Sequence, residues 1–227
     1  AGIHTFHRLE RVGDRAFAVH DQPDAGLWEF RTRAEVHTHS SVMCWAACDR
    51  LARIASQLGL AERARQWQTR ADRIRKRILQ RAWNSKLNSF VSTFEGAAVD
   101  ASVLLMHEVG FIRPDDPRFV GTVAAVERQL KHGSAVSLCE TGRFRQAGKC
   151  LHYLYVLVHR CLIAQGRMTE ARELFENMLA CRNHLGLLSE DINPATKELW
   201  GDFPQTYSLV GLMNCAMKLS KTWEDVV

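Results

Sequence analysis

Large apolar side chains recur along most of this chain at three- and four-residue intervals, the period of a helix with one buried face. Residues 42–55 show it first, with Val42, Trp45, Leu51 and Ile54 on one side; Ser40 or Ser41 is placed to cap the start and Gly59 to end the helix. Residues 61–83 follow, with Ala64, Trp67, Ala71, Ile74 and Ile78 in one stripe and Arg and Gln opposite. Phe90 and Phe94 stand at alternating positions after a turn at 84–88, which predicts a short extended piece. Further helices fit 101–109, stopped by Gly110, and 119–131. The pattern then resumes at 151–165, at 169–182 with Thr169 as a capped start, and at 205–219. The expected architecture is all-α: about seven helices in sequential hairpins, with one or two brief extended segments.

Composition narrows the class of protein. With 227 residues, 46% apolar and 24% charged, the chain is long enough for one domain with a real core. No apolar run reaches the roughly 18–20 residues of a spanning helix, so no membrane partner is expected. No signal peptide is visible at Ala1-Gly2-Ile3-His4. The net charge of +5 is modest, and its densest cluster, 73–77, reads as a solvated helix face; no nucleic acid is expected as a partner. Seven cysteines without framework spacing point to free, mostly buried thiols in a reducing compartment, the cytoplasm. His37-x-His39 lacks a third ligand of suitable spacing, so no metal is expected.

Two hairpin openings are alike, Gly59-Leu60-Ala61-Glu62-Arg63-Ala64 and Gly166-Arg167-Met168-Thr169-Glu170-Ala171. They point toward a helical-repeat interaction scaffold without catalysis, but their separation fits no multiple of a 34-residue repeat and no third copy lies between. Two other stretches stand out because they carry acids and aromatics without amphipathic period. One is Gln22 to Arg31, with Trp28, Glu29 and Arg31; the other runs from Gly186 to Gln205, with Glu190 and Trp200. Cleaving a glycosidic bond takes one carboxyl protonated, to give its proton to the leaving oxygen, and one ionised, to take a proton from water. An apolar neighbour disfavours a carboxylate anion, which suits a Glu following Trp to the acid role. An isolated loop Glu is otherwise an ordinary surface charge.

A resemblance gives these acids more weight. Asp24-Ala25-Gly26-Leu27-Trp28-Glu29-Phe30-Arg31, then His37-Thr38-His39-Ser40-Ser41-Val42-Met43-Cys44-Trp45 with Asp49-Arg50, resembles glycoside hydrolase family fifteen, the glucoamylase family. Val99-Asp100-Ala101-Ser102-Val103-Leu104-Leu105, Asp116-Pro117-Arg118, Gly186 to Glu190 and Phe203-Pro204-Gln205-Thr206-Tyr207-Ser208 fit the same family in the same order. The version here is similar to bacterial glucoamylase-like enzymes and trehalases. The resemblance implies an (α/α)6 toroid, the six-hairpin glycosidase fold, with its catalytic loops at one end. It implies that Glu29 is the general acid and Glu190 the general base in an inverting hydrolysis of an α-glucoside or oligosaccharide. It makes Trp28, Arg31 and Trp200 candidates for sugar contacts, with core packing an equal alternative for Trp200, and leaves Trp45 to the core. No cofactor is implied, because the two carboxyls and water suffice.

The chain departs from the family in two ways. Six hairpins need more helices than the pattern provides, so residues 1–227 are expected to be the carboxyl-terminal portion of a single catalytic domain. The early helices and any amino-terminal β-sandwich would then be missing, activity weak or absent, and self-association possible through exposed helix faces. Residues 134–157 also lack the family pattern of Arg-Tyr, Asp, Phe-Gly and Ala-Phe ending near Thr-Phe-Trp. A permitted back-translation of 137–157, read one base later, spells that pattern, which implies paired compensating frameshifts; a genomic read in one unbroken frame contradicts it.

Overall fold

The computed structural model describes residues 2–29, 33–132, 135–136, 150–193 and 196–220. Two compact units divide the chain. The stretch 134–157, where the frame change is expected, lies largely outside the described residues, as does Arg31.

The first unit comprises residues 1–97 and 105–113. It holds α1 (Ile3–Val19), α2 (Thr38–Gln57), α3 (Ala61–Arg81), the hairpin β1 (Trp83–Asn84) and β2 (Ser89–Phe90), and the short α4 (Leu105–Glu108). Of these, α1 was not expected. Its buried positions are Phe6, Glu10 and Gly13, a helical stripe in which only one member is a large apolar residue. Tertiary packing explains the other two. The Trp67 indole N–H from α3 donates to Glu10 Oε1 at 2.8 Å, and a side chain at Gly13 would collide with Leu51 and Trp67. Arg70 lies over the Trp67 ring, 4.5 Å from its centroid, and meets Asp14 at 2.5 Å. Trp45 is buried, as expected, and meets Phe111 edge to face.

The second unit comprises residues 98–104 and 114–227. Here 101–104 form a 3-10 turn running directly into α4, where one continuous helix was expected. The unit continues with α5 (Pro117–Leu130), β3 (Lys131–His132), β4 (Ala135–Val136), β5 (Cys150–Leu151), α6 (His152–Ala164), α7 (Met168–Leu179), β6 (Asp191–Ile192), β7 (Leu199–Trp200) and α8 (Thr206–Leu219). Its core joins Phe119, Val123 and Leu130 of α5, Leu157, Val158 and Leu162 of α6, and Ala171, Leu174 and Met178 of α7. At the α6–α8 crossing a side chain at Gly211 would strike Val156. Arg167 bridges the α6–α7 turn to Glu127 of α5 at 2.8 Å. Tyr207, Val210, Met213 and Met217 make an exposed apolar row along α8.

The fold class is thus all-α, with eight α-helices among the described residues rather than about seven. The brief extended segments number seven two-residue strands rather than one or two. The two similar hairpin openings fold alike. Gly59 and Gly166 take φ of +73° and +76°; Leu60 N–H donates to Ala55 O and Arg167 N–H to Leu162 O, both at 2.9 Å. This is the Schellman ending, which needs a left-handed residue and so favours glycine. The expected N-terminal caps, Ser40 or Ser41 and Thr169, did not materialise: His37 and Arg167 occupy the N-cap positions of α2 and α7, and neither makes a side-chain cap bond.

One buried group in the second unit gives a stability prediction. His159 of α6 is 1% exposed, and neither ring nitrogen has a hydrogen-bond partner among the described residues. Burial first, then the charges of Lys218 and Arg160, lower its pKa from 6.5 to about 4. Between these values the unfolded chain binds a proton that the folded chain excludes, so this site's contribution is full above pH 6.5 and is lost as pH falls toward 4. His159→Phe is expected to flatten the dependence of the urea midpoint on pH across this window. Equal slopes in parent and variant would contradict the assignment.

Candidate active site

The first acid-bearing loop is closed by its own backbone. Asp24 N–H donates to Glu35 O at 2.9 Å and Glu35 N–H returns a bond to Asp24 O at 3.1 Å, so residues 24 and 35 form an isolated bridge around the loop. The Asp24 carboxylate adds two contacts through Oδ1: it accepts from Gly26 N–H at 2.5 Å and from the Ser40 hydroxyl at 2.9 Å. These bonds tie the loop to the first turn of α2. They also explain why Ser40 and Ser41 do not cap that helix: Ser41 donates its hydroxyl to His20 O at 2.6 Å. Both hydroxyls join α2 to preceding segments instead.

Inside this loop Trp28 is half-buried and Glu29 exposed. Glu29 N–H closes a turn on Gly26 O at 3.2 Å, and Glu29 has φ of +51°. A glutamate in the left-handed region is uncommon, because its Cβ crowds the backbone, and such residues gather at functional sites. His37 is buried beneath the loop, in a backbone bridge to Thr93, and its ring fills the space a side chain at Gly26 would need. His39 is held below its ordinary pKa by burial, with Asp24 opposing the shift and His37 adding to it. No group of three or more metal-binding side chains assembles among the described residues. Cys44 and Cys48 sit on α2 as free thiols, and burial raises the pKa of Cys48 to about 11, which keeps it protonated at neutral pH.

The second acid is not in an open loop. Glu190 stands at the mouth of the β6–β7 hairpin, where Asp191 pairs with Trp200 and Ile192 with Leu199. Behind it the chain is anchored: Ser208 donates its hydroxyl to Ser189 O at 2.9 Å, a buried bond, and Gln205 N–H donates to Leu188 O at 2.9 Å. Glu190 is half-buried, and Trp200 is 41% exposed, so within this unit Trp200 is not a core residue. The hairpin was missed in the sequence because two-residue strands carry no readable alternation.

Trp28 and Glu29 therefore share one pinned turn of the first unit, while Glu190 and Trp200 share one hairpin of the second. Asp24, Gly26 and Ser40 belong to the first turn as supports, a role their membership of the motif did not reveal. The Asx-type pairing of Asp24 with Gly26 N–H two residues on was the available signal.

Solved structures of a glycosidase and a glucoamylase share this fold. A wild-type glycosidase superposes with a TM-score of 0.77 at 20% identity, over 91% of this chain and 57% of that one. A bacterial glucoamylase complexed with acarbose gives 0.74 at 15% identity, over 93% of this chain and 37% of that one. In sequence, glycosyl hydrolases family 15 matches residues 17–151, more than half of the chain, and the chain belongs to that family. A trehalase of Thermoplasma volcanium is 34% identical over 94% of this chain, and a trehalase of Mycobacterium tuberculosis 32% identical over 96%. This chain spans about a third of the length of these curated relatives: 34% of the first and 32% of the second.

Proposed function

We propose that the protein containing this chain hydrolyses an α-glucosidic bond with inversion, and that Glu29 and Glu190 are its acid and base. The observation that carries the reading is family membership together with a match to trehalases along nearly the whole chain, which spans both acid-bearing motifs. Residues 1–227 are then part of one toroidal catalytic domain.

In this reading Glu29 enters protonated and gives its proton to the glycosidic oxygen as the bond to the anomeric carbon breaks. Water attacks that carbon from the opposite face, and Glu190 takes the proton water loses. The products are β-glucose and the freed alcohol, and a proton exchange with solvent resets both carboxyls. Such a pair works at a separation of about 6.5–9.5 Å, which leaves space for the water. Trp28 and Trp200 supply aromatic faces for sugar rings, and Arg31 grips hydroxyls. The free thiols Cys44, Cys48 and Cys181 suit a reducing, cytoplasmic setting. The exposed α8 row is the face through which self-association would run.

The trehalase relatives make α,α-trehalose the first substrate to try, with maltose and longer α-glucans beside it. The full-length gene product, given trehalose, tests the reading through the anomers it releases.

A further inference from the structure

The β6–β7 ladder slips by one residue beside Glu190. Trp200 pairs with Asp191, yet the Glu190 N–H donates to Asp202 O at 2.9 Å, so Gly201 and Asp202 together face Glu190. Gly201 is the extra residue of a bulge, with φ of +78°, the left-handed glycine that such bulges require. A bulge bends its strand and re-aims a neighbouring side chain. Here the side chain affected is that of Glu190. A Cβ at Gly201 would stand 2.8 Å from Glu190 Oε2 and 3.0 Å from Glu190 Cβ, so the carboxylate rests in the space glycine leaves open. The Asp202 N–H approaches the same Oε2 at 3.4 Å.

We propose that Gly201 is a positioning residue for the base: its missing side chain forms the notch that seats the Glu190 carboxylate, with Oε2 turned toward the Asp202 N–H and Oε1 left to take the proton from water. This rests on the reading of Glu190 as general base. Filling the notch with a methyl group forces the carboxylate out of place. Displacing a reacting group by about 1 Å costs on the order of 10²-fold in rate.

Two variants of the full-length protein separate the notch from the backbone. Gly201→Ala adds a Cβ and also strains a left-handed position; Gly201→Asn adds the same Cβ in a residue that tolerates that conformation. Both are expected to lower kcat on the protein's α-glucoside substrate by about 10²-fold, with KM held within about threefold. Full kcat in the Asn variant, whether or not Ala retains it, overturns the notch, as does a rise in KM alone. Glu190→Gln, assayed alongside, keeps the two claims apart. If it leaves turnover unchanged, the assignment of the base fails; if it abolishes turnover while Gly201→Asn is fully active, only the role of Gly201 fails.

Discussion

Glu29→Gln in the full-length protein is expected to lower kcat on trehalose by about 10²–10⁴-fold, the usual contribution of a positioned proton donor. The loss should depend on the leaving group. A glucose alkoxide departs poorly without a proton, whereas fluoride needs little help. The same variant should therefore hydrolyse α-glucosyl fluoride with a far smaller loss. Glu190→Gln removes the group that deprotonates water, a step both substrates share, so it should slow both by a similar factor. Initial rates of the parent and the two variants on the two substrates check this. Equal losses for Glu29→Gln on trehalose and fluoride would mean that Glu29 is not the leaving-group acid.

Trp67→Ala is expected to destabilise the first unit by about 3–5 kcal/mol, in the range of large aromatic deletions from a core. Trp67 is 3% exposed, and it fills the space that Gly13 of α1 leaves against α2 and α3. Its indole N–H is also the 2.8 Å donor to Glu10, itself only 7% exposed. Truncation thus opens a cavity and takes a hydrogen bond from a buried carboxylate, leaving Arg63 at 3.5 Å from Glu10 Oε1. Trp67→Phe keeps most of the volume but loses the N–H, for which about 1–3 kcal/mol is expected. Urea unfolding of the three proteins measures both. A Trp67→Ala loss no larger than that of Trp67→Phe would show that packing at this junction contributes little.

The same junction shows where sequence reading stopped. Helices α2, α3, α7 and α8 were legible because each carries an apolar stripe that needs no partner to be recognised. The buried stripe of α1 contains Glu10 and Gly13, which make sense only against Trp67 and Leu51 of later helices. Ser40 and Ser41 look like helix caps by residue type and position, but Asp24 and His20 O are the partners they reach. Tertiary hydrogen bonds outweighed the local motif there. Gly59 was legible as a helix end, because a left-handed C′ position has few other occupants.

For the candidate site, the resemblance names residues but carries nothing of their conformations. Glu29 and Glu190 followed from the resemblance, yet nothing in a glutamate's side chain announces a φ of +51° or a place beside a bulge. The Gly201 signal was present as a glycine after Trp200, but its meaning depends on the register of two strands too short to have a pattern.

The proposed reaction is a single displacement at the anomeric carbon by water activated at Glu190. Proton NMR of trehalose hydrolysis by the full-length protein, read before mutarotation, tests this most directly. Inversion converts one glucose to the β anomer and releases the other as α, so the first-formed products should be α and β in equal amounts. Release of α-glucose alone would mean retention, and would contradict the assignment of these two carboxyls as an acid and base acting across a water molecule.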